Sequence, residues 1–124
     1  MSVTMYLYPK CDTCRAALKS LKRKGIEPDA IDLFETPPSA ETLREIIARS
    51  GLDLKKFFNV AGEVYKEMNL KDKLSGMTAD EQIELLASNG RLIKRPIVDD
   101  GRRVTVGYKE EQYEEVWGAG SFPS

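Results

Sequence analysis

Apolar and polar residues change their spacing several times along this chain, and each change marks an element. Residues 3–8 (Val-Thr-Met-Tyr-Leu-Tyr) alternate with a period of two in β-forming residue types, which predicts a strand. Over 12–24 the period lengthens. Cys14, Ala17, Leu18 and Leu21 share one helical face, Lys19, Lys22, Arg23 and Lys24 fall mostly outside it as a solvated face, and Gly25 is placed to end the helix. Residues 30–34 give a second short strand, and Pro37-Pro38-Ser39 punctuates the start of a helix with an apolar stripe of Leu43, Ile46 and Ile47, closed by Gly51. Short helical segments follow at 54–58, 63–68 and 70–74, separated by Gly62 and Asn69. Thr78-Ala79-Asp80-Glu81 has the form of a capping box and predicts a helix over 79–88, with Ile83, Leu86 and Ala87 inward. Residues 39–90 therefore form one helical block. Beyond it, 95–98 and 103–106 are short strands joined around Asp100-Gly101, a two-residue hairpin signal, and 109–117 is a last helix with Tyr113, Val116 and Trp117 on one face. Tyr6, Tyr8, Phe57, Phe58 and Trp117 fall at positions expected to pack in a core rather than bind a ligand.

The order β-α-β, helical block, β-hairpin, α predicts a thioredoxin-like α/β fold, a mixed sheet flanked by helices. The expectation is a single domain over 1–117 with a helical insertion at about 39–90, followed by a loose tail at 118–124. A chain of 124 residues can bury roughly two-thirds of its unfolded surface without disulfide staples. Nineteen basic and twenty acidic residues leave a formal charge of −1, which gives no electrostatic footprint for direct nucleic-acid or anionic-membrane binding. No apolar run approaches the roughly 20 residues that span a bilayer, and the first residues lack the pattern of a signal peptide, so a cytoplasmic protein is expected.

Cysteine and histidine usage narrows the chemistry. Cys11 and Cys14 are the only cysteines, in Tyr8-Pro9-Lys10-Cys11-Asp12-Thr13-Cys14-Arg15, between the first strand and the first helix. Two thiols cannot build a four-thiolate zinc site, and a chain without histidine excludes Cys-His zinc sites, Ser-His-Asp triads and Cys-His catalysis; no metal or organic cofactor is expected. In a reducing compartment a lone Cys-x-x-Cys points to redox chemistry, although two small core cysteines could share this spacing by chance. At a helix tip Cys11 would face unpaired N–H groups and the positive end of the helix dipole, which favour its thiolate; Cys14, one turn in, would resolve the mixed disulfide. Arg15, one turn from Cys11, is expected to help hold the charge, with Thr13 beside it as a thiolate-stabilising or substrate-binding position. Arg95-Pro96 is the second informative pair, because proline adopts the cis form more cheaply than other residues and in thioredoxin-like folds a cis proline at this point faces the cysteines. Pro96 as a strand-edge proline and Arg95 as a solvated partner of Lys94 remain open on local sequence alone.

These motifs, with Glu35-Thr36-Pro37-Pro38, Tyr65-Lys66-Glu67-Met68-Asn69-Leu70 and Leu92-Ile93-Lys94-Arg95-Pro96-Ile97-Val98, resemble those of the arsenate reductase (ArsC)/Spx family over about residues 3–117. The resemblance implies a thiol–disulfide protein with Cys11, Cys14 and Arg95 as its central residues, acting as an oxidoreductase or redox switch and drawing electrons from thioredoxin, glutaredoxin or a low-molecular-weight thiol. One branch of the family reduces arsenate with a single cysteine and three arginines. Cys11 and Arg95 match that set, but Asn59 and Gly107 stand where the other two arginines fall. Losing two guanidinium groups from an anion cradle costs on the order of 1.5–3 kcal/mol each, which argues against efficient arsenate reduction. The Spx branch implies a redox-switched transcription regulator that binds the C-terminal domain of the RNA polymerase α subunit; here Gly51 lies in about the corresponding region and is equally explained as a helix cap.

Overall fold

The alternating stretch at the start of the chain forms strand β1 (Thr4–Leu7) in the computed structural model, which describes residues 3–118. A turn leads from it into helix α1 (Asp12–Arg23), followed by strand β2 (Asp29–Asp32). The middle of the chain holds helices α2 (Ala40–Ser50), α3 (Glu63–Glu67), α4 (Leu70–Lys73) and α5 (Ala79–Ser88), with single 3-10 turns at Leu54–Phe57, Leu74–Gly76 and Gly90–Leu92. Strands β3 (Ile97–Asp99) and β4 (Val104–Val106) and helix α6 (Glu110–Trp117) complete it. The mixed four-stranded sheet has the order β2-β1-β3-β4, with β3 antiparallel to both β1 and β4. This is the thioredoxin-like arrangement expected from the element order. Of the predicted tail only Gly118 is described, and residues 119–124 lie outside the described residues.

The chain divides into two compact units, one of residues 1–31 with 95–124 and the other of residues 32–94. In the first, alternate residues of β1 (Val3, Met5, Leu7) and Val98 of β3 meet Cys14, Ala17 and Leu21 of α1 and Tyr113 and Trp117 of α6 in a buried core. α1 ends as its sequence predicts. Gly25 takes a φ of +82°, its N–H bonds the Lys22 carbonyl, and the Ile26 N–H reaches the Leu21 carbonyl, a Schellman closure that brings Ile26 into the same core.

Lys24 departs from the solvated face expected of its cluster. Lys19, Lys22 and Arg23 are exposed, but the Lys24 side chain is only 7% exposed and its Nζ binds Glu110 at 2.7 Å, Glu114 at 3.0 Å and Ser20 Oγ at 2.8 Å. Burial alone would lower the Lys24 pKa; the two carboxylates outweigh it and raise it, and Lys24 in turn holds Glu110 well below the usual carboxylate range. The partners are far apart in sequence, and helical periodicity carries no trace of them.

Strands β3 and β4 end at the Asp99–Val104 pair, and the Asp100 N–H on the Arg103 carbonyl continues that register, so Gly101 and Arg102 form the tip of the hairpin, one position beyond the expected Asp100-Gly101. Carboxylates build this turn: Asp99 accepts the Gly101 N–H, and Asp100 accepts the N–H groups of Arg102 and Arg103 together with the Arg103 guanidinium at 3.0–3.1 Å. Arg103 also donates to the Val116 carbonyl at 2.7 Å and lies over the Trp117 ring at 5.2 Å. One buried carboxylate thereby fixes the loop and, through Arg103, the end of α6.

In the second unit, α2 starts at Ser39, whose Oγ accepts the Thr42 N–H, and ends at Gly51 with φ +66°. Thr78 and Glu81 close both hydrogen bonds of the predicted capping box at the start of α5, which packs on α2. Leu43, Ile46, Phe57, Phe58, Ile83 and Leu86 are buried. The second strand stops at Asp32, before the expected end at residue 34. Asp32 Oδ1 accepts the N–H groups of Phe34 and Glu35 and turns the chain there, while the Lys94 N–H bonds the Phe57 carbonyl at the other end. The 3-10 turn at Gly90–Leu92 had no sequence signal beyond Gly90, where a Cβ would fall 1.8 Å from the Leu33 carbonyl oxygen.

Burial pushes the Asp100 carboxyl up, but the Arg103 and Arg102 N–H groups and the Arg103 guanidinium outweigh it, so it titrates below the ordinary value. With the folded-state pKa depressed, its stabilisation is complete above about pH 4 and fades as pH falls through the lowered value. Asp100→Asn should cost about 1–3 kcal/mol at neutral pH. Chemical denaturation of both proteins against pH should show the difference shrinking in acid, and a constant difference down to the acid limit would contradict this assignment.

Candidate thiol site

The first unit brings Cys11, Cys14 and Arg95 together. Cys11 is the N-cap residue of α1, with φ −86° and ψ 122°; its N–H bonds the Tyr8 carbonyl and its carbonyl accepts the Arg15 N–H, both at 3.0 Å. This places its sulfur at the open end of the helix, where the Cys14 N–H faces it without closing a cap hydrogen bond. Cys11 is half-buried, Cys14 is 1% exposed in the core of the first unit, and both thiols are free. The Arg95–Pro96 peptide bond is cis, Pro96 is buried, and its carbonyl accepts the Gly107 N–H at 2.9 Å. Arg95 is half-buried rather than a solvated partner of Lys94, and its guanidinium lies against the Cys11 sulfur.

The two thiols are pushed in opposite directions. Partial burial raises the Cys11 pKa, but the Cys14 N–H, the Cys14 thiol and the Arg95 charge together outweigh it, and the net shift is downward. Cys14 is pushed up to about 12, chiefly by burial; a hydrogen bond from the Tyr8 backbone opposes this, the Cys11 sulfur beside it adds to the rise, and the Arg95 charge opposes it least. The pair therefore shares its protonation unequally, with Cys11 giving up its proton before Cys14.

The other expected residues are placed differently. Arg15 is exposed and pairs with Asp12 at 2.5 Å, so the cation on Cys11 is Arg95 rather than Arg15. The short reach of Asp12 along the same helical turn accounts for this. Thr13 is exposed on the first turn of α1. Gly107 has φ +80°, in the left-handed region where an arginine would be strained, and Asn59 lies in the second unit, in a turn where its carbonyl accepts the Gly62 N–H. Tyr8, expected only to pack, has its ring against Arg95, with the guanidinium carbon 6.0 Å from the ring centroid. Among the described residues no group of three or more Cys, Asp or Glu converges as a metal site, and no helix is long and apolar enough to cross a membrane.

A helix-capping cysteine, a second cysteine one turn deeper and a cis-proline segment before an antiparallel strand describe a thioredoxin-like thiol protein. The chain belongs to the ArsC family, whose model matches residues 6–116. It is 58% identical over 117 residues to the uncharacterized protein YusI of Bacillus subtilis, covering 94% of this chain and 99% of that one. It is 37% identical over 98 residues to an arsenate reductase of Escherichia coli (78% and 67% covered) and 27% identical over 110 residues to the global transcriptional regulator Spx of Listeria innocua (89% and 82% covered). Among solved structures, an ArsC-family-related protein from Bacteroides fragilis superposes with a TM-score of 0.89 at 46% identity, covering 94% of this chain and 98% of that one.

Replacing Arg95 by Gln removes the charge next to Cys11. In a Cys14→Ser background, Cys11 of the Arg95→Gln protein should be alkylated more slowly at neutral pH, by up to about tenfold for a rise of roughly one unit in pKa, and equally fast once the thiol is fully ionised. Identical pH profiles would show that Arg95 does not stabilise the thiolate.

Proposed function

We propose that the protein is a thiol–disulfide oxidoreductase or redox switch in which Cys11 attacks and Cys14 resolves. The observation that carries this reading is the placement of the two thiols, Cys11 half-buried at the helix tip with Arg95 against its sulfur and Cys14 buried one turn deeper, which lowers the pKa of the first and raises that of the second. The Cys11 thiolate attacks one sulfur of a substrate disulfide; a Cys11–S bond forms, the substrate S–S bond breaks, and the departing thiolate takes a proton from water. Once the Cys11 sulfur is in that mixed disulfide its negative charge is gone, and with it part of what held the Cys14 proton. Cys14 then loses its proton and attacks Cys11, releasing the second substrate thiolate and leaving a Cys11–Cys14 disulfide. Two electrons from thioredoxin, glutaredoxin or a low-molecular-weight thiol return the pair to dithiol. Arg95 stabilises the Cys11 thiolate at the start of the cycle, Pro96 holds the segment that carries Arg95, and the cytoplasm is the compartment where such reductants act.

Arsenate as substrate is disfavoured by Asn59 and Gly107, which leave Arg95 as the one arginine matching the cradle implied by the resemblance. The likeness to a transcription regulator supports a second reading, in which the same disulfide changes a docking surface for the C-terminal domain of the RNA polymerase α subunit. The Cys14→Ser protein should accumulate mixed disulfides on Cys11 in cells, whereas Cys11→Ser should accumulate none; equal trapping by the two variants would reject the assignment of roles. Turnover of a trapped disulfide with a dithiol reductant supports the enzyme, and redox-dependent capture of the polymerase domain without turnover supports the regulator.

A further inference from the structure

Tyr8 belongs to the turn between β1 and α1 and meets the thiol site in three ways. Its carbonyl accepts the Cys11 N–H at 3.0 Å, its backbone lies against the Cys14 sulfur, and its half-buried ring faces Arg95 with 6.0 Å between guanidinium carbon and ring centroid. An arginine side chain has several rotatable bonds, so its charge acts on one sulfur only where something fixes the guanidinium. An aromatic face does this through its quadrupole while leaving the in-plane N–H groups directed at an acceptor. The other charged and titratable groups around Cys11 are Cys14 and the exposed Asp12–Arg15 pair on α1, with exposed Lys10 next to it in the turn.

We propose that Tyr8 is a positioning residue for the chemistry of Cys11: its ring holds the Arg95 guanidinium against the Cys11 sulfur, and its carbonyl fixes the turn that aims that sulfur. Tyr8 touches no substrate in this role and acts through Arg95. The inference rests on the reading of Cys11 as the nucleophile, and the experiment separates the two.

The parent for the test is the full chain with Cys14→Ser, which keeps a hydrogen-bond donor beside Cys11, and the readout is the pH dependence of Cys11 alkylation by iodoacetamide. Tyr8→Leu should slow alkylation about threefold to tenfold at neutral pH and leave it unchanged where the thiol is fully ionised, while Tyr8→Phe, which keeps the ring, should follow the parent. In an Arg95→Gln background, Tyr8→Leu should add no further loss, because the two residues act as one unit. If circular dichroism shows the leucine variant unfolded, Tyr8→Met makes the same comparison. A parent with a lowered midpoint and an unmoved Tyr8→Leu profile overturns the role of Tyr8 alone, as does a Tyr8→Leu effect that persists in full without Arg95. A parent that titrates like an ordinary thiol overturns the nucleophile reading and the Tyr8 inference with it.

Discussion

Cys11 is the N-cap residue of α1, its own N–H turned back to Tyr8 and its carbonyl already accepting the first helical hydrogen bond from Arg15. That leaves its sulfur as the nearest acceptor for the open N–H groups of the helix tip, a placement that favours negative charge. Everything else in the first unit secures this placement. The core under α1 fixes the direction of the helix, the Gly25 closure fixes its length, and Lys24 with Glu110 and Glu114 ties its far end to α6. A helix free to rotate would carry Cys14 out of the core and remove the difference between the two thiols.

The difference matters because two equivalent thiols would give no order to the chemistry. In the proposed cycle burial makes Cys14 the later of the two to ionise, so attack starts at the outer sulfur, and the loss of the Cys11 charge in a mixed disulfide eases the ionisation of Cys14. Arg95 contributes charge from a separate segment, brought beside α1 by the antiparallel pairing of β1 with β3.

Local signals in the sequence carried the elements that depend on local physics. The period-two stretch of β1, the apolar stripe of α1, Ser39 and Gly51 around α2, and the Thr78–Glu81 capping box all rest on interactions within a few residues, and the structure places them where the pattern predicts. What escaped was decided by contacts distant in sequence or by side chains competing for backbone N–H groups. Lys24 looks solvated until Glu110 is packed against it, and the Asp100-Gly101 signal does not show that the Asp99 and Asp100 carboxylates take up the N–H groups of the turn, whose tip falls at Gly101 and Arg102. The same division runs through the site. Cys11 and Cys14 were legible from their spacing and context, whereas the preference of Arg15 for Asp12 and the contact of Tyr8 with Arg95 needed the folded chain.

The central claim is that one helix tip splits the titrations of two neighbouring cysteines, lowering the pKa of Cys11 and raising that of Cys14. A carbon-13 NMR titration of the reduced wild-type protein, labelled at the cysteine β-carbons, follows each thiol separately. The account predicts that the Cys11 signal shifts below the ordinary thiol range of about 8.5, while the Cys14 signal stays that of a thiol until strongly alkaline pH. Two signals that titrate together near the free-thiol value would contradict it.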